Sequence, residues 1–96
     1  MKTFLIVYSS AADWDVIEIF KKAGIKEYTK MEAVHGEGTD TEPKLGTHIW
    51  PGANNALFMA VSDEKASLIS DLIRQAKVKL PRSGIKGFIL PVEECV

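Results

Sequence analysis

The chain has 96 residues, is 46% hydrophobic and 26% charged, and carries a formal net charge of −1; this is the profile of one small globular domain spanning 1–96. That balance gives no basic footprint for nucleic acid, and no apolar run approaches the ~18 residues needed to span a membrane. Cys95 is the only cysteine, so no internal disulfide framework exists, and without a signal-peptide pattern the expected compartment is the cytoplasm.

Residues 3–9 read as a strand: they are β-branched and aromatic and end at Ser9-Ser10. Both of its alternating faces are apolar, with Phe4, Ile6 and Tyr8 on one side and Leu5 and Val7 on the other. Residues 11–23 read as a helix, because Ala12, Val16, Ile19, Phe20 and Ala23 form one apolar stripe. Asp13 and Asp15 suit its N-terminal end, Lys21 and Lys22 its C-terminal end, and Gly24 its C′ position. Trp14 falls opposite the stripe and is expected to lie along a neighbouring loop. Residues 25–35 read as a second, less regular strand, and 55–62 as a third that is again apolar on both faces. Ser62 is placed to cap a helix that buries Ala66, Ile69, Leu72, Ile73, Ala76 and Leu80, and Pro81 stops it. After the Ser83-Gly84 turn, 85–93 forms a fourth strand, with Phe88, Leu90 and Val92 on one face and Ile89 on the other.

The order is β-α-β, loop, β-α-β. It predicts an α+β, ferredoxin-like βαβ-βαβ fold: a four-stranded antiparallel sheet with two helices on one face. The connection at 36–55 has no helix or strand period and holds four of the seven glycines and two of the four prolines. Structureless loops beyond roughly 12–15 residues are usually functional or disordered. Trp50, His48 and the Asn54-Asn55 pair are a poor composition for simple disorder. His48, Trp50 and Asn54 are therefore expected to form a ligand wall or a partner-docking edge, or to pin the loop to its own assembly.

Two helices cover only one face of such a sheet. A face left to water should alternate apolar with polar residues, and the first and third strands do not. The second face is therefore expected to be buried between subunits of a closed homo-oligomer.

Two short stretches carry a family resemblance. Val34-His35-Gly36-Glu37-Gly38 is similar to the Val-x-Gly-x-Gly with which the second strand opens into the T-loop of PII signalling proteins. Lys86-Gly87-Phe88-Ile89-Leu90-Pro91-Val92-Glu93 is similar to the Lys-Ile-Phe-Val-x-x-Val-Glu of their last strand. In these and in element order, the chain resembles the PII nitrogen-regulatory superfamily. The resemblance implies a cytoplasmic homotrimer that binds small effectors in clefts between subunits, with 36–55 as a T-loop-like insertion. It implies signalling to a target protein, a transporter, enzyme or regulator, without catalysis of its own, nucleic acid or membrane insertion. The Gly-rich phosphate cradle of that superfamily, Thr-Gly-x-x-Gly-Asp-Gly-Lys, is reduced to Gly84 and Lys86. The Arg-Gln after Val-x-Gly-x-Gly is replaced by Thr39-Asp40, and the modified T-loop tyrosine has no counterpart.

Backbone amides in a Gly-containing turn, backed by a cation, cradle an anion. His35, Gly36, Gly38, Thr39, Arg82, Gly84 and Lys86 form the expected ligand-binding set, with an adenine nucleotide as candidate effector and no required cofactor. The alternative is a metal-binding or metal-tolerance protein on the same trimeric scaffold, as in copper-tolerance (CutA-type) proteins. His35 and His48 are its candidate ligands, since imidazole suits zinc, copper or nickel. No nucleophile elbow, Cys-His pairing or P-loop is present, so an enzyme is not expected.

Overall fold

In the computed structural model, which describes residues 1–37 and 52–96, the apolar N-terminal run becomes the inner strand β1 (Lys2–Ser9). Strand β3 (Asn54–Val61) runs antiparallel to it along its full length, from Lys2 opposite Val61 to Ser9 opposite Asn54. Strand β4 (Lys86–Pro91) pairs antiparallel with the other side of β1, and β2 (Thr29–Val34) with the outer side of β3. The resulting order, β2-β3-β1-β4, is the expected ferredoxin-like sheet. Helices α1 (Asp13–Lys22) and α2 (Asp63–Lys79) supply the second layer.

The core follows from two periods meeting. Every second residue of β1 and β3 faces the helices, which buries Phe4, Ile6, Tyr8, Leu57 and Met59. Every third or fourth residue of the helices answers them, with Val16 and Phe20 from α1 and Ala66, Ile69, Leu72, Ile73 and Ala76 from α2. Ser62 caps α2 as expected, its hydroxyl accepting from the Lys65 amide at 3.3 Å. The C-cap is Leu80, immediately before Pro81.

Two elements depart from the sequence expectation by more than their ends. The 11–23 helix is a short 3₁₀ turn, Ser10–Ala12, followed by α1 proper. The second strand starts at Thr29, four residues later than the expected 25. The reason lies in how α1 ends. Gly24 takes φ +84°, its amide donates to the Lys21 carbonyl at 2.9 Å, and the Ile25 amide reaches back to the Phe20 carbonyl at 2.9 Å. This is a complete Schellman closure, with Ile25 and Phe20 both in the core. Ile25 is apolar because it seals a helix, and its amide is already engaged there. Trp14 does lie opposite the apolar stripe, but at 73% exposure it stands in solvent and does not lie along a described loop.

No described element covers the sheet face away from the helices. By register, Leu5 lies between Phe58 on β3 and Phe88 on β4. Phe58, Phe88 and Leu90 are 47%, 54% and 47% exposed. One apolar row thus crosses three strands with none of the described residues over it.

Gly24→Ala places a Cβ in open space but in left-handed backbone, so it should cost about 1–2 kcal/mol. Urea unfolding at one fixed protein concentration measures this; an unchanged midpoint contradicts the closure described for α1.

Candidate functional site

Antiparallel pairing brings the end of β1, the start of β3, the end of β2 and the start of β4 to the same end of the sheet. Val34 and Ser9 both pair with Asn54, and Lys86 pairs with Val7. The connection after Glu37 leaves from this end, and the 80–86 turn arrives at it.

On the β2 side, His35 is exposed, and Gly36 sits so close to β3 that a Cβ there would meet Asn54 Nδ2 at 3.3 Å. Glycine is suited to that approach. The strand reaches it through an irregularity: its register shifts between Met31 and Val34, and Ala33 takes φ +56°. Such a bulge turns the strand and re-aims the residues after it.

On the β4 side, the 80–86 turn is fastened to the end of β1. The Ser9 amide donates to the Ser83 carbonyl at 2.7 Å, and the buried Ser83 hydroxyl accepts from the Ile85 amide at 3.3 Å. The Ser83 amide donates to the Leu80 carbonyl at 3.0 Å, and Gly84 takes φ +62°. With the Ser83 and Ile85 amides engaged inside the turn, an anion there would rely on the Arg82 and Gly84 amides and on nearby cations. Arg82 and Lys86 are exposed. Beside the turn a shallow cleft of about 290 Å³ is lined by Lys77, Leu80, Ser83, Gly84 and Lys86.

The structure thus groups His35, Gly36 and Asn54 at one corner and Arg82, Gly84 and Lys86 at another. It does not bring the two groups together within one chain. His35 and Gly36 follow β2, three strand spacings or about 14 Å from β4, and Asn54 on β3 is two spacings or about 10 Å from it. Gly38, Thr39, His48 and Trp50 lie outside the described residues. Among the described residues, no three His, Cys, Asp or Glu side chains gather closely enough to hold a metal ion, and no helix is long and apolar enough to cross a membrane.

Between these corners lies a cluster that sequence reasoning missed. The Asp13 carboxylate accepts hydrogen bonds from Tyr8 Oη at 2.6 Å, Asn55 Nδ2 at 3.0 Å and Lys30 Nζ at 3.0 Å. One side chain of α1 therefore ties together β1, β3 and β2 beside both roots of the 38–51 connection. Burial pushes the Asp13 carboxyl up, but the three donors and the Lys30 charge outweigh it and hold the group below the usual carboxylate range. Burial, reinforced by the hydrogen bond to Asp13 and its charge, pushes the Tyr8 phenol well above its ordinary value. The Asp13 hydrogen bond, more than the charges around it, raises Lys30. One signal pointed this way: a tyrosine on a buried strand face must find a partner for its hydroxyl.

Asp13→Asn should destabilise the protein by about 1–3 kcal/mol, since it weakens a charge-assisted cluster. Asp13 has a folded pKa below its unfolded one. Its contribution is complete above the ordinary carboxylate range and disappears as the pH falls through the depressed native value. The stability gap between wild type and Asp13→Asn, read by denaturant unfolding across that range, should close toward acid. A gap independent of pH contradicts the ionic role.

Solved structures share this fold. CPII from Thiomonas intermedia K12, bound to ADP and bicarbonate, superposes with a TM-score of 0.67 at 20% identity, over 93% of this chain and 82% of that one. CPII bound to ADP, AMP and bicarbonate gives 0.67 at 18%, over 99% and 94%. A candidate PII-like signaling protein from Thermus thermophilus gives 0.62 at 23%, over 95% and 85%. No curated protein sequence matches the chain. The sequence pattern of the family described as nitrogen regulatory protein P-II matches residues 1–96. With that match over its whole length, and with a fold shared with PII-like proteins, the chain belongs to the nitrogen regulatory protein P-II family.

Proposed function

We propose that the chain is a non-enzymatic PII-like regulator that acts as a cytoplasmic homotrimer of single-domain subunits. A small anionic effector, with an adenine nucleotide first among candidates, binds in the clefts between subunits. The 36–55 segment serves as the T-loop and carries the signal to a target protein, as in nitrogen regulation. The observation that supports this most is the division of the binding set. The His35–Gly36–Asn54 corner sits on β2 and β3, and the Arg82–Gly84–Lys86 corner on the turn into β4, the two outer strands being at opposite edges. A neighbouring copy supplies the missing half of each cleft. The row of Phe58, Leu5 and Phe88, left open by the described residues, gives the copies an apolar surface to share. The P-II-family match and the ADP, AMP and bicarbonate of CPII support the choice of effector.

Titration calorimetry tests the effector. ADP and AMP should bind with one site per protomer, and Lys86→Ala should weaken binding about tenfold or more through loss of a charge-assisted hydrogen bond. If ADP, AMP and bicarbonate all give no heat, this effector class is wrong. If zinc or copper binds instead, the metal-tolerance reading takes its place. Sedimentation tests the assembly: wild type should run as a trimer, and Phe58→Asp, which buries a charge in the shared face, as a monomer. A monomeric wild type at micromolar concentration removes the inter-subunit cleft.

A further inference from the structure

Strand β2 carries one residue more than its partner can pair. Thr29, Lys30 and Met31 stand opposite Phe58, Leu57 and Ala56, and Val34 stands opposite Asn54. In between, β2 has Glu32 and Ala33 where β3 has only Asn55, the count of a β-bulge. A left-handed residue in a bulge is ordinarily glycine; here it is Ala33, at φ +56°. Its side chain weighs against this register by a factor of about 5–30.

Little within β2 opposes that weight. The strand places no residue in the buried core, and a strand without a buried face has a weakly specified register. Its tie to the helix layer is Lys30, whose ammonium meets the Asp13 carboxylate at 3.0 Å. That tie precedes the bulge, so it fixes Thr29–Met31 and does not reach the residues after Ala33.

The bulge decides which face those later residues take. Asn54, Ala56 and Phe58 alternate onto the sheet face away from the helices. In the bulged register Val34 joins Met31 on that face and His35 turns to the helix side. With Ala33 in extended backbone the count becomes regular, Ala33 opposite Asn54 and Val34 opposite Ala53. Val34 then leaves the open face and His35 enters it. Met31 is 42% exposed and Val34 is half-buried, so covering the open face favours the register that puts valine there and keeps imidazole off it. That gain offsets the left-handed alanine.

We propose that the bulge at Ala33 is a register switch coupled to assembly. A covered open face holds β2 in the bulged register; an open one lets the strand slip by one residue and carry His35 from the helix side to the open face. The coupling rests on the shared face proposed above; the slip itself rests on strand geometry alone.

Nuclear Overhauser contacts between β2 and β3 read the register: Val34 meets Asn54 when bulged and Ala53 when slipped. The wild-type trimer should show the Asn54 contact alone, and monomeric Phe58→Asp should show both. Register and assembly must bias each other by the same factor. By sedimentation, Ala33→Gly, which lifts the side-chain penalty, should lower the concentration needed for assembly several-fold, and Ala33→Val, which favours extended backbone, should raise it several-fold. Deleting Ala33 separates a switch from a merely structural bulge. It leaves Val34 opposite Asn54 with no extra residue, so the deletion variant should assemble at least as well as wild type and, combined with Phe58→Asp, keep the Asn54 contact alone. Three results each overturn the switch while leaving the shared face intact: a Phe58→Asp monomer with only the Asn54 contact, unchanged assembly of both Ala33→Gly and Ala33→Val, or loss of assembly on deletion. A monomeric wild type removes the shared face, and the coupling with it.

Discussion

A four-stranded sheet has two faces, and a βαβ-βαβ chain makes only enough helix to cover one. This constraint governs the molecule. On the covered face, the periods of strand and helix interlock around Phe4, Ile6, Phe20, Leu57 and Ile69, all essentially without solvent exposure. On the other, Phe58, Leu5 and Phe88 form a row with no partner among the described residues. An apolar surface of this kind costs about 25 cal/mol for each Å² left in water, which is ample reason for copies to associate. The same antiparallel pairing that makes the row also collects the ends of all four strands at one end of the sheet. The apolar row and the grouping of the strand ends are thus products of one topology.

The end of the sheet that carries the loop roots is built for stiffness. Asp13 stands at the start of α1 and gathers Tyr8, Asn55 and Lys30 from three strands. The 80–86 turn is held to Ser9 by a 2.7 Å backbone hydrogen bond. The residues that flank the 38–51 connection stand beside this hydrogen-bonded frame. In contrast, β2 enters that frame through a register shift with Ala33 in left-handed backbone, a conformation that persists only where its surroundings enforce it. Rigid anchoring by Asp13 and local irregularity at Ala33 lie within the same few residues of the loop root.

Much of the fold was legible because it rests on periodicity. The stripe Ala66, Ile69, Leu72, Ile73 and Ala76, the Ser62 cap and the two-faced first and third strands all read directly from spacing. The start of β2 did not, because Ile25 satisfies a strand pattern while serving a helix closure. The Asp13 cluster was hidden for a different reason. Its four residues come from four segments, and each has a sufficient local explanation: a helix-dipole acid, a strand tyrosine, a turn asparagine and a surface lysine. Only the register, which sets Tyr8 against Asn55 and Lys30 against Leu57 on the helix side, brings them together. The described members of the proposed binding set, His35, Gly36, Arg82, Gly84 and Lys86, lie at one end of the sheet, but their division between opposite edges is a property of strand order that no single motif carries.

That division is open to direct test by subunit mixing. Gly36→Val disables the β2 corner and Lys86→Ala the β4 corner, and each homogeneous variant should bind ADP poorly. If every cleft draws one corner from each of two neighbours, mixed trimers regain intact clefts, and random mixing restores about one quarter of the sites. Recovery of ADP binding to that level on co-refolding the two variants is the result a shared cleft requires. Mixtures that bind no better than the average of the two variants alone would place both corners' roles within single subunits, and would contradict it.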